Sequence, residues 1–364
     1  MLGVYIHIPF CKNICSYCDF CKVYYNKKYI NNYLDSLEKE IKERYKNEEI
    51  DTLYVGGGTP SSLSIDELKK LFEIIKIFKL KKDYEFTFEC NIEDINEELL
   101  CFLKDNRVNR LSIGVQSFND KYISILNRKH NKEMVFNNIK LAKKYFSNIN
   151  IDLIYGIDED INIVKEDLNN FLKLDIPHLS YYSLIIEDNT VLKIKNYDYI
   201  DEDIDYIMYK EIEKILEENN YIHYEISNYA KDGYYSKHNY NYWLNGDYYG
   251  FGLSSVSYLN NKRISNTKNL TKYLNDEFID NIDVEDKRTR QENDCILGLR
   301  TLKGINVKEF YNKYNEKIED VFHIDDLIKE NKLIIEEGYL KINKDYFYLA
   351  NEILINFLGG EKDE

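Results

Sequence analysis

Three cysteines in the order Cys11-Lys-Asn-Ile-Cys15-Ser-Tyr-Cys18 are the residues of this chain best suited to chemistry. Thiolates spaced CxxxCxxC on one loop can hold three corners of a cubane iron–sulfur cluster and leave one iron open. A structural zinc site wants four closed ligands, normally as paired CxxC knuckles far apart in sequence. Cys21 could complete such a set, so the cysteines alone leave zinc as an alternative. A second candidate is Gly56-Gly57-Gly58-Thr59-Pro60. Without Cβ atoms, this backbone can approach a small polar ligand closely and present its N–H and C=O groups. Alone, a triple glycine is most often a tight turn.

These residues must be positioned by something, and short apolar runs alternate with helix-periodic ones through the first two thirds of the chain. Val4–Ile8, Thr52–Val55, Tyr84–Glu89, Arg110–Val115, Asn150–Ile154 and His178–Leu184 read as strands. Helical stripes lie between them, as at Lys28–Lys46, and Ser64-Ile-Asp-Glu67 opens another helix as a capping box. Strand-then-helix units in this order predict an α/β fold, a parallel sheet curled into a partial or full barrel. In such a barrel, active groups sit at the C-terminal strand ends. The cysteines follow the first strand and the glycines end the second. Tyr229–Tyr258, rich in Tyr, Asn and Gly, reads as irregular, and from about Lys287 helices and short strands suggest a smaller α+β winged-helix-like domain. The expected divisions are 1–228 for the barrel, 229–286 for an aromatic connecting segment and 287–364 for the C-terminal domain.

Composition removes several function classes. The 364 residues carry a net charge of −15, which argues against a general nucleic-acid surface or an anionic membrane partner. Lys287–Glu364 has 13 basic against 16 acidic residues, so a duplex-binding winged helix is not expected. No run approaches a membrane span, and Met-Leu-Gly-Val-Tyr-Ile-His does not read as a secretory leader. Four of the seven cysteines fall within residues 11–21, a poor way to staple a large protein with disulfides. A cytoplasmic, reducing location is therefore expected. The 34 tyrosines carry no functional weight, whereas the single tryptophan does.

Several ordered motifs support a family resemblance. Tyr5-Ile-His-Ile-Pro-Phe-Cys11 through Cys18-Asp-Phe20, Tyr54-Val-Gly-Gly-Gly-Thr-Pro60, Ser112-Ile-Gly-Val-Gln-Ser-Phe118 and Asn150-Ile-Asp152-Leu-Ile-Tyr-Gly156 resemble the radical S-adenosylmethionine superfamily. Within it, the likeness is to proteins related to oxygen-independent coproporphyrinogen III oxidase, and Leu297–Asn306 is similar to that family's C-terminal domain. The resemblance implies that Cys11, Cys15 and Cys18 ligate a [4Fe–4S] cluster, with S-adenosylmethionine on the fourth iron. It implies further that Tyr5, Gly57, Gly58 and Thr59 line that ligand and that Glu89, Gln116, Arg128 and Asp152 contact it. Arg128 can fork onto a carboxylate, and the other three can bond ribose hydroxyls or the amino group. The implied chemistry is one-electron cleavage of the sulfonium by the reduced cluster.

The family divides into oxidases and heme chaperones. Here Cys18 is followed by Asp19-Phe20 where the oxidases carry CxC, and the cysteine loop begins only ten residues in. His238-Asn-Tyr-Asn-Tyr-Trp243 matches the HNxxYW motif of the heme-chaperone branch and contains the lone tryptophan. The resemblance thus implies heme as a ligand of His238, which an imidazole among aromatics can serve as. The implied partner is an acceptor protein, with a membrane-associated respiratory enzyme as one candidate. The alternative is a coproporphyrinogen oxidase or a heme-modifying radical enzyme. Cys21 departs from the branch and reads as a free thiol. Glu89-Cys90-Asn91-Ile92 replaces the usual proline-containing continuation. His130, His178 and His223 read as structural, and His7 as a support for the cluster loop.

Overall fold

A computed structural model describes residues 1–359, so residues 360–364 of the expected C-terminal domain lie outside the described residues. Strands β1 (Gly3–Ile8), β2 (Glu49–Gly57), β3 (Lys79–Asn91), β4 (Arg110–Gln116), β5 (Asn148–Tyr155) and β6 (His178–Ser183) pair in parallel and in chain order. The main helices between them are α1 (Lys27–Arg44), α2 (Ile65–Ile75), α3 (Glu97–Asp105), α4 (Lys132–Ala142) and α5 (Ile161–Leu174), and α6 (Glu202–Glu218) follows β6. The capping box at Ser64 and Glu67 forms as its sequence requires.

Tyr229–Tyr258 is not irregular. The region from Ile222 onward supplies β7 (Ile222–Glu225), β8 (Asn228–Ala230), helix α7 (Lys237–Trp243), β9 (Tyr248–Phe251) and β10 (Val256–Leu259). With β11 (Lys262–Asn266) and β12 (Ile279–Val284), these strands extend one sheet in the order β12-β11-β10-β9-β1-β2-β3-β4-β5-β6-β8-β7. The missed signal was long-range pairing, because β9 adds in parallel beside β1, far away in sequence. The terminal strands β12 and β7 do not pair with each other, so the barrel is partial.

Side chains alternate across these strands. Leu53, Val55, Phe86, Phe88, Leu111, Ile113, Ile149 and Ile151 join Leu68, Leu71, Leu100 and Leu168 from the helices in the main core. The opposite face, enclosed by the barrel, is polar: Thr52, Glu85, Thr87, Arg110, Asn150 and His178 are all buried. A separate apolar cluster includes Cys295, Leu299, Phe310, Leu333, Leu340 and Phe357. It contains helix α8 (Lys287–Gly298) and a small sheet of Ile305–Asn306, Tyr339–Ile342 and Leu333–Glu336. It meets the barrel where Thr301 bridges Glu225 of β7. Among the described residues, no helix is long and apolar enough to cross a membrane.

Candidate functional site

A cleft of about 540 Å³ opens at the C-terminal ends of the barrel strands. Cys11, Cys15, Cys18, Gly57, Gly58, Thr59, Glu89, Gln116, Arg128 and Asp152 all line it. The cysteine loop is anchored where Phe10–Cys11 pairs with Val23–Tyr24. Lys22 Nζ also donates to the Cys18 carbonyl at 2.6 Å. Thr59 Oγ1 donates to Cys11 Sγ at 3.5 Å, and Arg128 Nη1 lies 3.6 Å from Cys15 Sγ. Burial pushes the Cys11 thiol up to about 11 and raises that of Cys18. Thiols so placed ionise when a metal supplies the opposing charge.

The glycines act through close approach. Gly57 has φ +116, and a Cβ there would meet His7 Nδ1 at 2.5 Å. A Cβ on Gly58 would fall 2.6 Å from the Pro9 carbonyl and 3.0 Å from Cys11 Sγ. The second strand end is therefore pressed against the cysteine loop, and Thr59 N donates to Phe10 O at 3.0 Å. This cradle and the three thiols fit a cluster with one side open to the cleft. Among the described residues, no three His, Cys, Asp or Glu side chains converge as the ligands of one ion would. A cubane demands something else, since each thiolate takes its own iron.

Glu89 reaches across the cleft floor, accepting from Tyr54 Oη at 2.7 Å and Gly57 N at 3.0 Å. Surrounding protein raises its carboxyl to about 7, the Asp152 charge adding to the rise, although its side chain is partly open to the cleft. Asp152 accepts from Asn150 Nδ2 at 2.8 Å and is likewise raised by burial. Gln116 follows a register shift in β4 and has φ +73, a conformation rare outside glycine that re-aims its side chain. Arg128 is already engaged: its guanidinium donates to Asn91 Oδ1 at 2.8 Å, Gly114 O at 2.7 Å and Glu93 Oε2 at 3.1 Å. Its buried Nε alone lacks a partner.

Two of the expected residues lie apart from this group. Tyr5 is part of a second cavity of about 320 Å³ together with His7, Cys21 and Tyr242, and its Oη meets His7 Nδ1 at 3.0 Å. Tyr54, its neighbour in register, takes the place at the cleft floor. His238 is 1 % exposed inside the barrel near the N-terminal strand ends. Its Nδ1 meets Thr52 Oγ1 at 2.8 Å and its Nε2 meets Tyr242 Oη at 2.8 Å. Burial holds the ring neutral, lowering it to about 3.

Of the other histidines, His7, His130, His178 and His223 are buried in the fold and His323 is exposed. His7 meets the Cys21 carbonyl at 2.8 Å, next to the cluster loop. His178 bonds Asn150 and Tyr224, and His223 stacks on Tyr229 at 4.3 Å. His130 is buried beside Glu93, 4.0 Å away. Sequence reasoning missed Tyr54, Asn91, Ser112, Ser180 and Tyr182, which also line the cleft. The signal for them was the period of two: on each strand they share a face with a residue already singled out.

Residues 5–169 match the family model of the radical SAM superfamily. The chain is 37% identical to "Heme chaperone HemW" of Lactococcus lactis, covering 98% of this chain and 97% of that protein. It is 34% identical to "Heme chaperone HemW" of Bacillus subtilis, covering 99% and 100%. The solved structure of coproporphyrinogen III oxidase (HemN) from Escherichia coli, a radical SAM enzyme, superposes with a TM-score of 0.86 at 23% identity, over 98% of this chain and 89% of that one. That likeness concerns the fold. The chain belongs to the radical S-adenosylmethionine superfamily, in the HemW branch of its HemN-like proteins. The family implies a [4Fe–4S] cluster and S-adenosylmethionine as cofactors.

Proposed function

We propose that this protein binds heme and passes it to an acceptor protein, using a radical S-adenosylmethionine barrel as its scaffold. The observation that carries the reading is the end-to-end likeness to heme chaperones, 37% identity over 98% of this chain and 97% of the relative. Cys11, Cys15 and Cys18 would hold the cluster. Gly57, Gly58, Thr59, Glu89, Gln116 and Asp152 would bind S-adenosylmethionine, with Arg128 fixing the cysteine loop beside it. The bound pair supplies one-electron chemistry at the sulfonium. The chain's own part is to seat the ligand's cationic end against the Glu89 and Asp152 carboxylates and to shield it from bulk water. In a chaperone this ligand exchanges. Tyr5 would support the end of the cysteine loop from outside the cleft, through His7 and the Cys21 carbonyl.

His238 is the residue that would hold the heme iron. Both its nitrogens are occupied by Thr52 and Tyr242, so binding iron requires one of these bonds to break and the buried ring to become accessible. The acceptor is a heme-requiring protein, met in the cytoplasm or at a membrane face.

The test is a titration of anaerobically reconstituted protein with heme and, separately, with coproporphyrinogen III. A Soret band in the parent that is lost in His238→Ala, with the cluster absorbance unchanged, is the expected result. Turnover of coproporphyrinogen III to protoporphyrinogen would overturn the chaperone reading. An unchanged Soret band in His238→Ala would remove that histidine as the ligand.

A further inference from the structure

Among the described residues Arg110 is the largest fully buried side chain, 1 % exposed, and its Nε and Nη1 have no hydrogen-bond partner. It stands on β4 in the inward row that continues through Ser112, Gly114 and Gln116 into the cleft. Thr87 on β3 and Asn148 on β5 are its register neighbours, and each also has a buried, unpartnered oxygen. Orphaned donors and acceptors at one level of three adjacent strands are the setting in which proteins hold internal water.

A buried guanidinium with no carboxylate in contact is costly unless nearby charge compensates it. Its charge favours the ionised form of two cleft carboxylates, Glu89 one register level above and Asp152 two levels above. The buried Glu85 below Thr87 is taken up by the Lys237 and His238 amides. We propose that Arg110 is a positioning residue for the cationic ligand of the cleft, its fixed charge below the floor holding Glu89 and Asp152 as a pair of acceptors. This inference rests on the S-adenosylmethionine reading of the cleft.

The other groups around the pair are neutral or already paired. The phenols of Tyr5, Tyr54, Tyr182 and Tyr242 face Glu89, and burial lifts all four above their ordinary range. The Cys90 thiol on the same strand is raised in the same way. His178 and His238, beside Arg110, are held neutral by burial. Arg128 also faces Asp152, but it is bonded to Glu93. Arg110 is thus the one buried cation near the pair without a hydrogen-bonded carboxylate among the described residues. With Glu89 at about 7, its loss tips that carboxyl to the protonated form at neutral pH.

The experiment compares parent, R110Q and R110K for binding of S-adenosylmethionine and of S-adenosylhomocysteine, which lacks the sulfonium charge, between pH 6 and 9. In R110Q the pH of half-maximal S-adenosylmethionine affinity moves up by about one unit from about 7, roughly a fivefold weakening at pH 7, while the analogue without the sulfonium is affected less. R110K keeps the charge and restores most of the parent profile. A profile unchanged in R110Q would overturn the inference. Infrared spectra of the unliganded protein test it independently of ligand binding. The carboxylic-acid band persists to higher pH in R110Q than in the parent, and an identical titration would sink the proposal even if S-adenosylmethionine binds. Should R110Q not fold, R110Q/E89Q recovers the fold if the charges balance each other. Failure of that double variant would count against the inference.

Discussion

The cysteine loop and helix α7 both carry motif residues with lone pairs suited to iron, yet the fold treats them oppositely. Cys11, Cys15 and Cys18 line an open cleft at the C-terminal strand ends, whereas His238 plugs the barrel near the other end. The cleft's polar groups face a space that a ligand can enter. Those of His238 face the protein: its ring nitrogens meet Thr52 and Tyr242, and its amide donates with that of Lys237 to the Glu85 carboxylate at 3.0 Å, although Asn239 of the same helix reaches the cleft. A residue's chemistry is thus decided by whether its lone pair is spare, and the surroundings set that.

The comparison breaks most readily at the cysteines. Cys15→Ala should abolish cluster assembly, read as iron and sulfide content after anaerobic reconstitution, and a full cluster in that variant would refute the site. His238→Ala should destabilise the fold by about 2–4 kcal/mol, since it empties a buried position and orphans Thr52 and Tyr242. Denaturant unfolding measures this, and a loss near zero would mean that α7 is not fixed as described. Gly58→Ala should cost about 1–3 kcal/mol by forcing Pro9 and Cys11 apart, with lower cluster occupancy.

A smaller effect follows from buried carboxyls. Burial lifts Asp167 and Glu225 to about 7 from ordinary values near 4. Between those limits the folded state binds more protons than the unfolded one, so stability falls as pH rises from about 4.5 to 7. Each group contributes on the order of 2 kcal/mol across that window. Melting temperature against pH should show the decline, and Glu225→Gln should flatten it. Smallest of all, Tyr5→Phe removes a bond to His7 outside the cleft and should leave S-adenosylmethionine affinity within about twofold, at a stability cost of about 1 kcal/mol. A large loss of affinity would place Tyr5 with the ligand after all.

Much of the barrel was legible because each strand's outward residues are apolar and each helix carries its own stripe. Leu68, Leu71 and Phe72 after the Ser64 cap announce α2 and the face it buries. The glycines were legible as a site because Gly57 and Gly58 follow a strand that lies next to the cysteine loop. Arg110 was not, since a lone arginine at a strand start resembles any solvated charge. Only register with Thr87 and Asn148 shows it to be enclosed. Strand β9 was hidden for the same reason, its partner β1 lying more than 200 residues away.

What the amino-acid order determined by itself is local: which segments alternate or repeat as strands and helices, where three thiols share a loop, and which family the chain joins. What only the tertiary structure decided is enclosure. Whether Tyr5 or Tyr54 meets the cleft, and whether His238 offers or spends its nitrogens, depends on neighbours brought from distant strands. Period-two patterning names the face of a strand but not the level along the barrel axis. That level is fixed by hydrogen-bond register between strands, a property no single segment contains.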